Sequence, residues 1–326
     1  MDRIARMSVD ERAALIRLAA ENSEGMAPEV IEKDFWVCWT LGRLFGSPET
    51  APKLLFKGGT SLSKVFGLIE RFSEDVDLIL DWREVTHDDP TAMRSVTKQD
   101  TFNKALLAQA HDYLRNTFLP EVQSLVAGMC DAVIEENPEI VRVKYPVAFP
   151  SQYLRPEIQL EVGPLASWVP NAEYEIRPYA AEALPNRFES PACKVRAIKA
   201  ERTFWEKVTI LHHEAHRPEG NEQPPGYSRH YYDVSRIAQS PVRESALSDL
   251  GLLRSVVAFK DKFYHRGWAC YDLAAPGTMK LVPSDHVMAG VEQDYEQMRF
   301  MIFGHRPTFG DLMDTIRALE VEINSL

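Results

Sequence analysis

Hydrophobic residues near the start of the chain recur at helical spacing. Apolar positions from about residue 10 to residue 45 follow the three- and four-residue steps of a helix face, with a break near Gly25 and Pro28. A short apolar run over residues 53–56 then meets Gly58-Gly59, after which hydroxyl residues can cap a further helix. The pattern predicts two helices followed by a strand, a glycine turn and a third helix.

The spacing changes to a period of two between Phe72 and Leu80. Phe72, Val76, Leu78 and Leu80 fall on one face of such a strand, and Ser73, Asp75 and Asp77 fall on the other. A strand with one polar face is therefore predicted.

Helical spacing returns over residues 99–129, and alternation returns over residues 140–149 and 153–162. In the last of these segments Glu157 and Glu161 share a polar face by parity.

The rest of the chain is predicted to be mainly helical. After a proline-rich stretch, apolar residues around Trp205 mark one buried helix face, and a second helix begins near Tyr231. We expect an α+β domain with a small mixed sheet over residues 1–185, which includes the N-terminal helices, and a helical C-terminal domain over residues 186–326 that contributes to the active site.

Composition narrows the class of protein. With 326 residues, 45% hydrophobic residues and 26% charged residues, the chain is predicted to fold as an ordinary soluble protein of about two domains. It has no apolar run of membrane-spanning length, no signal-peptide pattern and no paired cysteine motif, which favours the cytoplasm. The net charge of −11 does not indicate a nucleic-acid partner.

Carboxylates and glycines supply the candidate chemistry. Asp75 and Asp77 would lie side by side on one strand face, where a divalent cation such as Mg²⁺ or Mn²⁺ could relieve their repulsion and bind triphosphate oxygens. Glu161 is the predicted third ligand and Glu157 the alternative. The glycine turn could let backbone amides approach a phosphate. A solvated strand face and a plain turn are the structural alternatives.

Lys207 and Asp233 are less clear from spacing alone. Lys207 lies at the border of a buried helical stripe, so its ammonium needs an NTP phosphate or Asp233 as a partner, or else it extends to solvent. Asp233 could equally cap or salt-bridge its own helix.

Several segments together resemble the AbiEii/AbiGii toxin family of nucleotidyltransferases. They are Gly58-Gly59-Thr60-Ser61-Leu62, Arg71 to Leu78 with its aspartates, Trp205-Glu206-Lys207 and Tyr231-Tyr232-Asp233. The first two are shared by the wider DNA polymerase beta-like superfamily, and the last two narrow the resemblance, which extends from about Ile31 to Arg236.

The resemblance implies a polymerase beta-like fold and a toxin that transfers a nucleotide from an NTP. It implies a neighbouring antitoxin, a link to phage defence and, as in some relatives, tRNA as the acceptor. It also implies that Asp75 and Asp77 bind metal and that Lys207 and Asp233 complete the active site. The nucleotide would lie near Gly58, Gly59, Thr60, Ser61, Lys64 and Ser73. Nucleotidylation of a protein hydroxyl, or a catalytically silent nucleotide- or antitoxin-binding module, remains the alternative.

Overall fold

The chain divides into two compact units in the computed structural model, which describes residues 1–23, 25–73 and 75–326. The first, called here the sheet unit, comprises Met1–Val65 and Phe72–Ile198. The second, the helical unit, comprises Phe66–Arg71 and Lys199–Leu326. The chain thus leaves the sheet unit once for a short segment and returns to it before the final change of unit.

The sheet unit is built on a mixed β-sheet that has seven strands among the described residues, in the order β3-β4-β5-β2-β1-β7-β6. β2 pairs parallel with β5 and antiparallel with β1, and β7 pairs parallel with β1. The strands are β1 Leu54–Lys57, β2 Asp75–Leu80, β3 Asp131–Ile134, β4 Ile140–Lys144, β5 Glu157–Gly163, β6 Asn171–Ile176 and β7 Cys193–Ile198. A mixed α/β architecture was expected, and the sheet is larger than the small one predicted.

The expected boundary near residue 185 falls before the last strand of this sheet. β7 pairs with both β1 and β6, so its hydrogen bonds keep it in the sheet unit. The change of unit therefore comes after Ile198.

The helices of the sheet unit form a layer that packs beside the strands. They are α1 Asp2–Ala5, α2 Val9–Glu21, α3 Pro28–Gly46, α4 Gly58–Lys64, α5 Val96–Tyr113, α6 Leu119–Val126 and α7 Tyr179–Ala183. α3 is the centre of this layer, because residues on every side of it are buried and it packs against α2, α6, α7 and β7. Its N-terminus is set by Pro28 in the first turn, where a missing N–H breaks no helical hydrogen bond.

The long helix predicted for residues 99–129 is present with an irregular centre. α5 begins at Val96, and the hydroxyl of Ser95 accepts a hydrogen bond from the N–H of Lys98. A π-helical segment, Leu114–Phe118, then joins it to α6. The bulge accommodates Pro120 in the first turn of α6, since proline there has no N–H to donate.

β2 shows why the aspartates face away from the core. Val76, Leu78 and Leu80 belong to the large core cluster, together with Ile158 and Leu160 of the neighbouring β5. Because strand side chains alternate, Asp75 and Asp77 lie on the opposite face. The predicted period-two pattern is confirmed, although the strand begins at Asp75 and Glu74 lies outside the described residues.

The helical unit has its own core. Its helices are α8 Ala200–Ala215, α9 Ser228–Ala238, α10 Val242–Ser248, α11 Leu250–Phe263, α12 Asp285–Gln297 and α13 Phe309–Asn324. α9 packs against α8, α12 and α13, and the predicted stripe residues Phe204, Trp205, Val208 and Leu211 are fully buried. Among the described residues, no helix in either unit is long and apolar enough to cross a membrane.

Leu78→Ala tests the packed face of β2. Leu78 is 1% exposed, so its truncation should lower the free energy of unfolding by about 2–5 kcal/mol. Glu161→Gln, on the opposite face of the neighbouring strand, is the control and should change it by less than about 1 kcal/mol. Urea denaturation measures both values, and equal values for the two variants would contradict the assignment of faces.

Candidate active site

The glycine turn lies directly against an aspartate carboxylate. Gly58 has φ +81°, a left-handed backbone conformation that glycine adopts without strain. A Cβ atom at this position would lie 1.8 Å from Oδ2 of Asp77, inside any possible contact distance. Only glycine therefore lets the chain turn from β1 into α4 beside this carboxylate.

Hydroxyl groups of the turn fasten it to the strands. The hydroxyl of Thr60 donates a hydrogen bond of 2.5 Å to the backbone oxygen of Asp75, and the hydroxyl of Ser61 donates one of 2.9 Å to the backbone oxygen of Gly58. Both hydroxyls are thus used within the protein: Thr60 holds α4 on the first residue of β2, and Ser61 closes the first turn of α4. Ser73, which was predicted to lie near the phosphates, is in the segment that precedes this strand.

Strand register brings the candidate carboxylates together. Asp77 is opposite Glu161 of β5 on one side and opposite Lys57 of β1 on the other, and Asp75 is opposite Gln159. Because strand side chains alternate, all of these residues lie on the polar face of the sheet. The structure therefore groups Asp75, Asp77 and Glu161 with one lysine on the face that also carries the glycine turn.

Glu161 lies close to other negatively charged side chains. Desolvation raises its pKa above the ordinary value, and the charges of Asp77 and Asp75 raise it further, while Lys57 opposes them. The residue as a whole is exposed, so the desolvation comes from the protein atoms around its carboxyl group. A cation at this place would offset the repulsion from Asp77 and Asp75 and favour the ionised form of Glu161.

Glu157 has a different environment. It is buried, forms an ion pair with Arg142 and accepts a hydrogen bond of 2.9 Å from the side-chain amide of Gln159. Burial alone would raise its pKa, but these hydrogen bonds and the charge of Arg142 lower it. Its negative charge is therefore already neutralised within the sheet.

The chemistry of the carboxylate group fits a hard divalent cation. Asp75, Asp77 and Glu161 supply the oxygen ligands that Mg²⁺ and Mn²⁺ prefer, and they lie on adjacent strands. In the part of the chain that the structure describes, no three His, Cys, Asp or Glu side chains are already gathered at ligating distance. Water or nucleotide oxygens would therefore have to complete the coordination of a bound ion.

Lys64 has a partner inside the sheet unit. Its Nζ lies 2.8 Å from Oδ1 of Asp34, and both side chains are almost completely buried. The ammonium also lies over the ring of Tyr179 at 3.6 Å from the centroid. Burial alone would lower the pKa of Lys64, but the charge and hydrogen bond of Asp34, together with Cys38 and Tyr179, outweigh it and raise the pKa above the ordinary lysine value. Burial also raises the pKa of Asp34, yet with a protonated lysine at 2.8 Å the pair is ionic.

Lys207 and Asp233 meet in the helical unit. Nζ of Lys207 is 2.8 Å from Oδ2 of Asp233. The aspartate is therefore a partner of this lysine, as one of the predicted alternatives has it. Asp233 also binds Arg71, whose Nε and Nη2 each donate to one carboxylate oxygen at 2.7 Å. The three side chains form a buried cluster with two positive charges and one negative charge, which we call the Arg71–Lys207–Asp233 cluster.

The charges of this cluster explain its pKa shifts. Burial alone would raise the pKa of Asp233, but Arg71 and Lys207 outweigh it and hold the pKa below the ordinary value. Burial lowers the pKa of Lys207, which Asp233 opposes and Arg71 reinforces. His230, whose Nδ1 is 3.5 Å from the lysine nitrogen, is kept neutral because burial and the same positive charges lower its pKa.

Three participants were missing from the sequence-based site. Arg71 was part of a recognised segment without a role, and its separation of 162 residues from Asp233 left no local signal. Asp34 lies 30 positions before Lys64, on a helix where spacing predicts packing alone. Lys57 precedes the glycine turn, and only strand register identifies it as the neighbour of Asp77.

The sequence of the chain matches the model of a known protein family. The family model described as "Nucleotidyl transferase AbiEii toxin, Type IV TA system" matches residues 39–317. The chain belongs to this family. It is therefore a nucleotidyltransferase toxin of a type IV toxin-antitoxin system, and the family implies an antitoxin partner. The match extends well past Arg236, where the recognised sequence motifs end.

A solved structure supports the fold of this AbiEii-family protein. The chain is similar to MenT4, a nucleotidyltransferase toxin from Mycobacterium tuberculosis H37Rv, with a TM-score of 0.54 and 15% sequence identity. The similarity covers 97% of this chain and 90% of that one. No curated protein matches this AbiEii-family sequence significantly.

Gly58→Ala tests the contact between the turn and Asp77. The variant must adopt a left-handed conformation, which costs about 1–2 kcal/mol, and must in addition displace the Asp77 carboxylate. Gly67→Ala is the matched control, because Gly67 has φ +60° but a Cβ added there would meet nothing within 4 Å. Thermal unfolding should show a clearly larger loss for Gly58→Ala, and equal losses would argue against a close approach.

Asp233→Asn tests the Arg71–Lys207–Asp233 cluster. Loss of the carboxylate charge leaves two buried cations, so the free energy of unfolding at pH 7 should fall by about 3–5 kcal/mol. Asp272→Asn, at an exposed position of the same unit, should change it by less than about 0.5 kcal/mol. Chemical denaturation measures both values.

The effect should depend on pH in one direction. Because the folded pKa of Asp233 is lowered, its stabilisation is complete above the unfolded-state value of about 4 and is lost as the pH falls towards the folded value. The difference in stability between the wild type and Asp233→Asn should therefore be constant from pH 7 to pH 5 and shrink below about pH 4. A difference that grew on acidification would show that the carboxylate is not held ionised.

Proposed function

We propose that this AbiEii-family toxin transfers a nucleoside monophosphate from an NTP to an RNA hydroxyl, with tRNA as the acceptor. The observation that carries the proposal is the contact of the glycine turn with Asp77, which lies on a sheet face with Asp75 and Glu161. A backbone turn able to approach phosphates, next to carboxylates able to hold a cation, matches the needs of nucleotidyl transfer.

The proposed reaction is in-line attack of the acceptor oxygen on the α-phosphorus. The new bond joins that oxygen to phosphorus, the bond to pyrophosphate breaks, and the hydroxyl loses its proton. Asp75, Asp77 and Glu161 would hold Mg²⁺ or Mn²⁺, which supplies neutralisation of the charge that develops on the phosphoryl oxygens. Glu161 is preferred to Glu157, since register puts it beside Asp77 and Arg142 already neutralises Glu157.

The glycine turn has its own role in this proposal. The backbone N–H groups of Gly58 and Gly59 would bind triphosphate oxygens, while Thr60 and Ser61 hold the turn in place through their internal hydrogen bonds. Ser73 would lie near the phosphates.

We also propose that Lys207 and Asp233 take part in nucleotide binding. The Lys207 ammonium is buried beside Asp233, and an ammonium held in this way can also bind phosphate oxygens. Asp233 would orient the Lys207 ammonium, as a buried hydrogen-bonded carboxylate does for a neighbouring cation. The proposed compartment is the cytoplasm, where NTPs and tRNA are both available.

The test is transfer of label from each of the four α-labelled NTPs in the presence of MgCl2 or MnCl2 and total RNA. We expect the wild type to label tRNA-sized RNA, and Asp75→Asn and Asp77→Asn each to reduce the rate roughly a hundredfold or more, because a lost metal ligand removes several kcal/mol of transition-state stabilisation. Chelation by EDTA should abolish labelling, and excess Mg²⁺ should restore it.

Asp131→Asn is the matched control, since Asp131 is an exposed aspartate at the start of β3. It should label RNA at the wild-type rate. Label in protein alone would replace the RNA acceptor with a protein hydroxyl. Full activity of Asp75→Asn or Asp77→Asn would refute the site, and absence of label with any NTP would favour a catalytically silent binding module.

A further inference from the structure

Three consecutive charged residues of α3 are buried. Glu32, Lys33 and Asp34 are 1%, 0% and 2% exposed, although charged residues are seldom buried without partners. Successive residues of a helix point about 100° apart, so the three side chains address different parts of the sheet unit.

Each of these side chains meets a different segment. The carboxylate of Glu32 accepts hydrogen bonds from the backbone N–H groups of Ala148 and Phe149, and the ammonium of Lys33 lies over the ring of Phe72. Asp34 meets the last residue of α4, Lys64.

Asp34 joins three helices through two short contacts. Its Oδ1 is 2.8 Å from Nζ of Lys64 at the end of α4, and its Oδ2 accepts a hydrogen bond of 2.6 Å from the N–H of Tyr179 at the start of α7. The ring of Tyr179 covers the lysine ammonium on another side. The positive charge of Lys64 is therefore fully occupied inside the protein.

α4 depends on such anchors. It has only 7 residues, and a helix of that length has little stability of its own. Its first turn is held by Thr60, which donates to the backbone of Asp75, and its first residue lies against Asp77. Its last residue is held by Asp34, so the ion pair fixes the C-terminal end of α4.

We propose that Asp34 is a positioning residue, which through Lys64 fixes α4 and thereby holds the glycine turn against Asp77. Lys64 then acts inside the protein by fixing α4 and the turn, and the triphosphate is bound by other groups. The consequence for nucleotide binding rests on the proposed function, whereas the consequence for the order of α4 does not.

A double-mutant cycle distinguishes a lysine that only fixes α4 from a lysine that binds phosphate. Lys64→Met keeps the aliphatic volume but leaves a buried carboxylate charge, and Asp34→Asn keeps an oxygen for the N–H of Tyr179 but removes that charge. The double variant D34N/K64M restores a neutral, packed pair, which proteins tolerate far better than half of a buried ion pair.

If Lys64 only fixes α4, Lys64→Met should lower Tm by roughly 10 °C, and D34N/K64M should recover at least half of that loss. Hydrogen exchange of the peptide that contains residues 57–65 should accelerate about tenfold or more in Lys64→Met and return towards the wild-type rate in the double variant. The KM for the NTP that labels RNA should follow the same order, rising roughly tenfold and then falling back within about threefold of wild type.

Glu32→Gln is the matched control on the same helix. Its partners are the amides of Ala148 and Phe149 and, at 4.0 Å, the guanidinium of Arg12. The variant should therefore lower Tm while leaving exchange of residues 57–65 and the KM for NTP as in the wild type. An equal effect of Glu32→Gln on that exchange would show that loosening of α3 in general loosens α4, and would overturn a specific role for Asp34.

Two further outcomes would overturn the proposal. A double variant whose KM stays as high as that of Lys64→Met, with its exchange restored, would identify Lys64 as a phosphate ligand. Wild-type exchange of residues 57–65 in Lys64→Met would show that the pair does not fix α4. If the wild type transfers no nucleotide, the proposed function fails, and the exchange and Tm cycle still decides the role of Asp34.

Discussion

The candidate site depends on the contact between the backbone of Gly58 and the carboxylate of Asp77. No side chain fits between them, so the turn and the strand can be this close only if residue 58 is glycine. The contact places a left-handed turn, from which backbone N–H groups can emerge, beside an acidic strand face. Thr60 and Lys64 support this turn, and Asp75 and Glu161 add carboxylates to that face.

Both units contain buried ion pairs, but the pairs are arranged differently. Lys64 and Asp34 form a neutral pair in the sheet unit, whereas in the helical unit Arg71 and Lys207 both pair with Asp233. A neutral buried pair can act as a fixed internal link.

Parity made part of the site predictable from sequence. Alternation alone put Asp75 and Asp77 on one face of β2, and the mixed α/β class followed from the order of predicted elements. Parity could not distinguish Glu161 from Glu157, because both lie on the same face of β5. Their difference comes from strand register and from Arg142 on β4, which are properties of the assembled sheet.

Long-range partners could not be predicted for a related reason. The spacing of Lys64 on α4 gives no sign of its ion pair with Asp34, which lies on the distant helix α3. The domain boundary was likewise set by the pairing of β7, which a proline-rich stretch cannot reveal. Local pattern thus identified groups able to do chemistry, while their pairing depended on contacts between distant segments.

The acidic composition of the chain is compatible with a phosphate-rich substrate because charge acts locally in this structure. The net charge of −11 describes the whole surface, whereas the positive charges near Asp233 are buried and therefore poorly screened by salt. Burial lowers the pKa of Lys207, so a bound anion would stabilise its charged form and be stabilised in return. Binding of a triphosphate at such a place would depend on a few desolvated cations more than on overall charge.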